Sequence, residues 1–297
     1  MRKILSFILS FVLLLSLFGC TIPNFIPPNP AYEEYIAPAL PISLDSIAQY
    51  CGEAYIEINE NVPFFSDEDT SRSYEKYSRL DSLGRCGAAI ACIGTDIMPT
   101  EERGDISSVK PTGWHTAKHN GTYLYHRCHI LGVQLTGENA NELNLITGTA
   151  YFNVSGMLPF ENMVADYVEE TANHVLYRVT PIYDGYDLVA RGVLMEAMSV
   201  EDFGRDLMFC VFVYNIQPGV TIDYSTGESR LANEEELDGT HKENTNYTYV
   251  LNTSSKKFHY ESCASAKKIS EANKEIYTGT RGELVKDGYT PCGSCNP

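Results

Sequence analysis

The sequence predicts a mixed α+β chain, and three observations carry that expectation. Glu53–Ile58, Leu176–Ile182, Leu188–Met198 and Met208–Tyr214 are short stretches of alternating or β-branched and aromatic residues, as strands are. Behind Asn153, the residues Phe160, Met163, Val164, Tyr167 and Val168 place apolar side chains at helical spacing. Directly before that helix come a β-rich segment, TYLYHRCHILG, and an Asn-rich loop.

The chain of 297 residues fits roughly two domains, and its 43% hydrophobic and 11% aromatic content is enough for a real core. A formal net charge of −17 argues against a protein that coats nucleic acid by bulk electrostatics. It leaves room for an enzyme that meets phosphate through a metal ion and a few local cations. Nine cysteines are many for a cytosolic enzyme. Pairing among Cys51, Cys86, Cys92, Cys128 and Cys210 does not follow from sequence.

Residues 1–19 pair a short basic start, Arg2 and Lys3, with the apolar run ILSFILSFVLLLSLFG, the pattern of a secretory signal. Leu17-Phe18-Gly19-Cys20 resembles a bacterial lipobox, which implies a lipid on Cys20 and a membrane-anchored, extracytoplasmic chain. An ordinary signal peptide exports the chain equally well. Residues 20–41 carry IPNFIPPNPAYEEYIAPALP and read as a proline-rich tether. A globular body is expected over 42–232, an acidic linker over 233–246, and a second unit over 247–297.

Hydrolysis of a phosphodiester needs a base for water, neutralisation of phosphoryl charge, and stabilisation of the leaving oxygen. His129, at a strand end, titrates near neutrality and suits the base. Asn153 offers a metal an uncharged oxygen, and Glu161 follows eight residues later, about 80° away on a helical wheel if the helix has begun by Asn153. By residue type alone the same groups also fit a structural histidine, a turn-forming asparagine and the polar first turn of a helix. A Cys128–His129 nucleophilic pair is a poor rival, because neighbours on a strand face opposite ways.

YHRCHILGVQLTGENANELNLITGTAYFNVSGMLPFEN resembles the DNA/RNA non-specific endonucleases of the ββα-metal class, in their DNA-entry and streptodornase-like branch. LDSLGRCGAAIA and MPTEERGDISSVKPTGW upstream, and VYNIQPGVTIDYSTGES downstream, extend the likeness over most of Glu53 to Ser229. The resemblance implies a ββα-metal fold with a central antiparallel sheet, and hydrolysis of DNA, with RNA as a second substrate, to 5′-phosphate ends. It implies His129 as general base, Asn153 as ligand of Mg2+ or Mn2+, and Glu161 as the carboxylate positioning metal-bound water. Asn144 falls on a second asparagine near the metal, and Arg127 on the arginine of the Asp-Arg-Gly-His motif. Two positions depart: His126 stands for Asp and Cys128 for Gly, which removes a carboxylate and a flexible backbone position. Those departures favour a rival reading, a catalytically weakened surface receptor that holds DNA for uptake.

In the last unit His259, Cys263, Cys292 and Cys295 have the types and spacing of a structural Zn2+ site, although an exported protein also permits a disulfide there. About fifty residues need such a staple, so a small zinc-stabilised α+β module is expected. KKFHYESCASAKK and YTPCGSCNP resemble the Ada-type metal-binding domain. Lys256, Lys257, Lys267 and Lys268 give it a basic face for nucleic acid or simply a solvated surface. No segment marks an obligate protein partner.

Overall fold

The computed structural model describes residues 33–66, 68, 70–119, 121–233, 247–261, 263 and 265–292. The leader with Cys20, linker residues 234–246 and Cys295 lie outside the described residues. Among the described residues no helix is long and apolar enough to cross a membrane.

Four strands open the body: β1 (Glu33–Glu34), β2 (Tyr55–Glu57), β3 (Tyr74–Tyr77) and β4 (Ala89–Ile93). Two-residue strands β5 (Lys118–His119) and β6 (Thr122–Tyr123) pair with each other ahead of β7 (Tyr125–His129). A one-turn helix, α1 (Val133–Thr136), leads to β8 (Leu145–Thr149). After a π-helical turn, Phe152–Met157, comes α2 (Leu158–Thr171), and then β9 (Val175–Ile182), β10 (Gly192–Ser199) and β11 (Met208–Tyr214). The hairpin of β12 (Val220–Ile222) and β13 (Ser229–Leu231) follows.

The central sheet runs β1-β3-β4-β9-β10-β11-β2, antiparallel throughout except for the β1–β3 edge. Every residue of β4 is buried, as a strand covered on both faces requires. Helix α2 covers one face, where Phe160 packs against Tyr55 and Phe209 with ring centroids 4.8 and 5.0 Å away. The helix starts with Pro159 in its first turn and ends at Ala172 in the left-handed region.

The other face is covered by the chain's own beginning. Tyr35 packs with Tyr74, Ile90 and Leu176, and farther along Ile47 packs with Leu194 and Phe212. The folded body therefore reaches back to Glu33, into the segment read as tether, because β1 pairs with β3 and Tyr35 is buried. Beneath this wrap Arg178 and Glu196 stand opposite each other on β9 and β10, joined at 2.7 and 2.9 Å. Phe64 clamps the pair: its N–H donates to Glu196 at 2.8 Å and its carbonyl accepts from Arg178 at 3.1 Å.

Strands β7 and β8 form a separate antiparallel pair in the register His126 to Gly148 and His129 to Leu145. Asn215, just after β11, clasps this hairpin to the sheet. Its amide accepts from the Thr149 N–H and donates to the Thr147 and Ala190 carbonyls, each at 3.0 Å. The π turn lies close on β11: a Cβ at Gly156 would come within 2.4 Å of Val213. Hairpin, loop and helix are thereby held as one unit.

The C-terminal unit is a four-stranded sheet ordered β16-β14-β15-β17, with β14 (Tyr247–Asn252), β15 (Lys257–Tyr260), β16 (Lys274–Gly279) and β17 (Thr290–Pro291). A short helix, α3 (Arg281–Lys286), is started by a capping box between Thr280 and Glu283. Tyr249, Phe258 and Leu284 form its small core.

Candidate active site

Strand β7 ends at His129, which is 6% exposed. Its Nε2 lies 2.9 Å from the backbone carbonyl of Asn139. A carbonyl only accepts, so Nε2 carries the hydrogen and the neutral ring keeps its lone pair on Nδ1. Burial holds the ring below the ordinary imidazole range, the Asn139 bond opposes this, and the charge of Arg103 adds to it. The result is a neutral, oriented imidazole.

Glu161, in the first turn of α2, makes no hydrogen bond or ion pair among the described residues. Burial pushes its carboxyl up to about 7, against the pull of Arg103. Its carboxylate lies on Gly132, three residues beyond His129, where a Cβ would come within 2.8 Å of the carboxyl carbon. Gly132 has φ −56, so glycine is needed here for close approach and not for backbone freedom.

Asn153 stands in the π turn, a local widening found often at functional sites, so the 3.6-residue wheel does not describe its relation to Glu161. Its amide Nδ2 lies 3.4 Å from Nδ1 of His126. Both line a cleft of about 440 Å³ together with Arg103, Arg127, Trp114 and His115. Burial, with Arg103 adding to it, holds His126 below its ordinary range. Arg127 donates to the carbonyls of Val109 and Ser107 and lies 4.0 Å over the Trp114 ring.

Asn144 is brought near but faces elsewhere. Fully buried, it accepts from the Leu131 N–H at 2.8 Å and donates to the Leu131 carbonyl at 3.0 Å. Its amide is spent on holding the backbone just beyond His129. Cys128 needs no glycine-like conformation, since it sits in a regular strand outside the left-handed region. Its thiol packs over Gly148, whose missing side chain leaves the space. Burial raises that thiol's pKa well above the ordinary range, which makes it inert.

Arg103 is the residue that sequence reasoning passed over. It lines the cleft, and its charge bears on His126, Cys128, His129 and Glu161. Nothing in EERGD marks it locally, because the loop meets the hairpin only in the folded chain. Asn139 ties that loop down, accepting from the Gly104 N–H at 2.7 Å.

The donor set suits a hard or borderline divalent ion: an amide oxygen, a half-buried carboxylate without a partner, and an imidazole beside the amide. In the C-terminal unit His259, Cys263 and Cys292 are buried, with ligand atoms all within 4.8 Å of one another, a spacing that suits one tetrahedral ion. Lys256, Lys257, Lys267 and Lys268 are exposed there.

A hairpin ending in an oriented histidine, followed by a helix that carries an unpartnered carboxylate, is a ββα arrangement. Residues 66–201 match the family model of the DNA/RNA non-specific endonucleases. The chain is 30% identical to NucA from Streptococcus agalactiae, solved with magnesium bound, covering 62% of this chain and 89% of that one with a TM-score of 0.55. It is 25% identical to the Sda1 nuclease, solved with bound zinc, covering 62% and 97% with a TM-score of 0.51. A deoxyribonuclease of Streptococcus dysgalactiae subsp. equisimilis is 30% identical over 115 residues, 37% of this chain and 34% of that protein. The match thus spans about a third of that relative's length. The chain belongs to the DNA/RNA non-specific endonuclease family.

Proposed function

We propose that this chain is an exported, metal-dependent endonuclease that hydrolyses DNA, and RNA by the same sugar-independent chemistry, to 5′-phosphate ends. The observation that carries this reading is the pairing of a neutral His129, its Nε2–H held by Asn139, with the unpartnered Glu161 carboxylate on Gly132. His129 Nδ1 takes the proton of the attacking water. The water oxygen bonds to phosphorus as the bond to the 3′ oxygen breaks. Arg103 and Arg127 place positive charge in the cleft of a chain whose net charge is −17, so attraction to the backbone is local and not global. Asn153 and Glu161 would hold the divalent ion, Mg2+ or Mn2+, which supplies neutralisation of phosphoryl charge and of the leaving oxygen. Asn144 supports the site by fixing the Leu131 backbone.

His259, Cys263 and Cys292 with Cys295 would take a structural Zn2+, stabilising a module whose lysines add a contact to nucleic acid. A lipid at Cys20 would anchor the enzyme outside the cytoplasm, with no obligate protein partner. The test is cleavage of supercoiled plasmid by the chain from Ala31 onward, with Mg2+ or EDTA, beside His129→Ala. Metal-dependent cleavage that falls roughly 10²–10⁴-fold in the variant is expected for loss of a general base. His126 favours one rival, the DNA-holding receptor: retardation of DNA without cleavage in any metal would replace the enzyme reading by it.

A further inference from the structure

His126 has no assigned task in that chemistry, yet its position is specific. Among the described residues its ring has one polar partner, Asn153, and the Asn153 amide has no other. The two side chains approach to 3.4 Å inside the cleft. Two ligands set at right angles on one ion, each ~2.1–2.2 Å from it, stand ~3 Å apart. With the Asn153 amide turned over to present Oδ1, the two residues are spaced as neighbouring ligands of a single ion. Imidazole nitrogen suits borderline first-row ions, whereas magnesium selects oxygen.

We propose that His126 is a direct nitrogen ligand of the ion at Asn153, and that it biases this site toward a first-row transition ion such as Mn2+ over Mg2+. The inference rests on the reading that Asn153 holds an ion. An aspartate at position 126 would offer oxygen to the same ion and remove the bias.

The test uses the chain from Ala31 onward, zinc-loaded so that the C-terminal thiolates are occupied, then freed of other ions. Mn2+ binding is followed by the EPR signal of free Mn2+ with Mg2+ as competitor, and ligand type by nitrogen modulation in pulsed EPR. Wild type should bind Mn2+ at least ~10-fold tighter than Mg2+ and show nitrogen modulation. His126→Asp should lose the modulation and cut the Mn2+/Mg2+ ratio about 10-fold; His126→Gln, closer in size, should lose the modulation as well. Modulation arising from His129 would persist in both variants, and an unchanged ratio with persistent modulation overturns the proposal. Asn153→Ala separates the two readings. If it abolishes Mn2+ binding while His126→Asp changes nothing, only the His126 proposal falls. If Asn153→Ala leaves binding intact, the ion site itself is elsewhere and both fall.

Discussion

Glu196 and Glu161 are carboxylates set against opposite faces of the same sheet, and the fold treats them in opposite ways. Glu196 is fully buried and closed: Arg178 binds it twice and the Phe64 N–H once more. Glu161 is half-buried and open, with burial raising its carboxyl to about 7 and no hydrogen-bond partner among the described residues. A closed network resists change and fastens the N-terminal wrap to the sheet. An open carboxylate costs stability and is kept where a ligand completes it. The contrast separates structure from chemistry within one domain.

Breaking the closed side should have the largest effect on stability. Glu196→Ala leaves Arg178 buried without its partner, and roughly 3–5 kcal/mol should be lost in chemical denaturation. Activity per folded molecule should change little. A loss under about 1 kcal/mol would mean that water already reaches the pair and that it is not closed.

The open side predicts a smaller effect with a distinctive pH dependence. Because the folded-state pKa of Glu161 lies above its ordinary value, the folded chain holds that proton more tightly than the unfolded chain. Its stabilising contribution is complete below the ordinary carboxylate range and is lost as pH rises through about 7. Glu161→Gln removes this loss. In EDTA the variant should gain on wild type by about 1–3 kcal/mol as pH goes from 5 to 8, and added Mn2+ should raise the melting temperature of wild type more than that of the variant. Parallel pH curves for the two proteins would refute the open-carboxylate picture.

The finest probe is Gly132→Ala. Its backbone conformation accepts alanine, so the melting temperature should move little, but the new Cβ must displace the Glu161 carboxylate. We expect kcat to fall about 10-fold, roughly 1.4 kcal/mol in the barrier, with KM nearly unchanged. An unchanged kcat would show that the exact seat of Glu161 does not matter.

Much of the fold was legible because period is a local property. Alternation in LYRVTPI and the run MFCVFVY located β9 and β11, and helical spacing located α2. The identities of His129, Asn153, Glu161 and Arg127 as candidates came from the motif around them. Their neighbours were not legible. Arg103 and Gly132 carry no signature of their own, and the π turn at Asn153 changes a spacing that an ideal helix would have set. Asn144, aligned by motif with the metal site, spends its amide on Leu131. The stretch from Glu33 reads as tether for its prolines, yet Tyr35 is buried beside Arg178.

By itself, then, the sequence determined where β9, β11 and α2 lie, that the chain carries too little positive charge to bind nucleic acid globally, and which side chains have the right chemistry. The tertiary structure decided which nitrogen of His129 is free, which carboxylate lacks a partner, and which asparagine faces the cleft. Side-chain period repeats along the chain, whereas tautomer, burial and approach depend on groups distant in sequence, such as the Asn139 carbonyl beside His129 and Gly132 beneath Glu161.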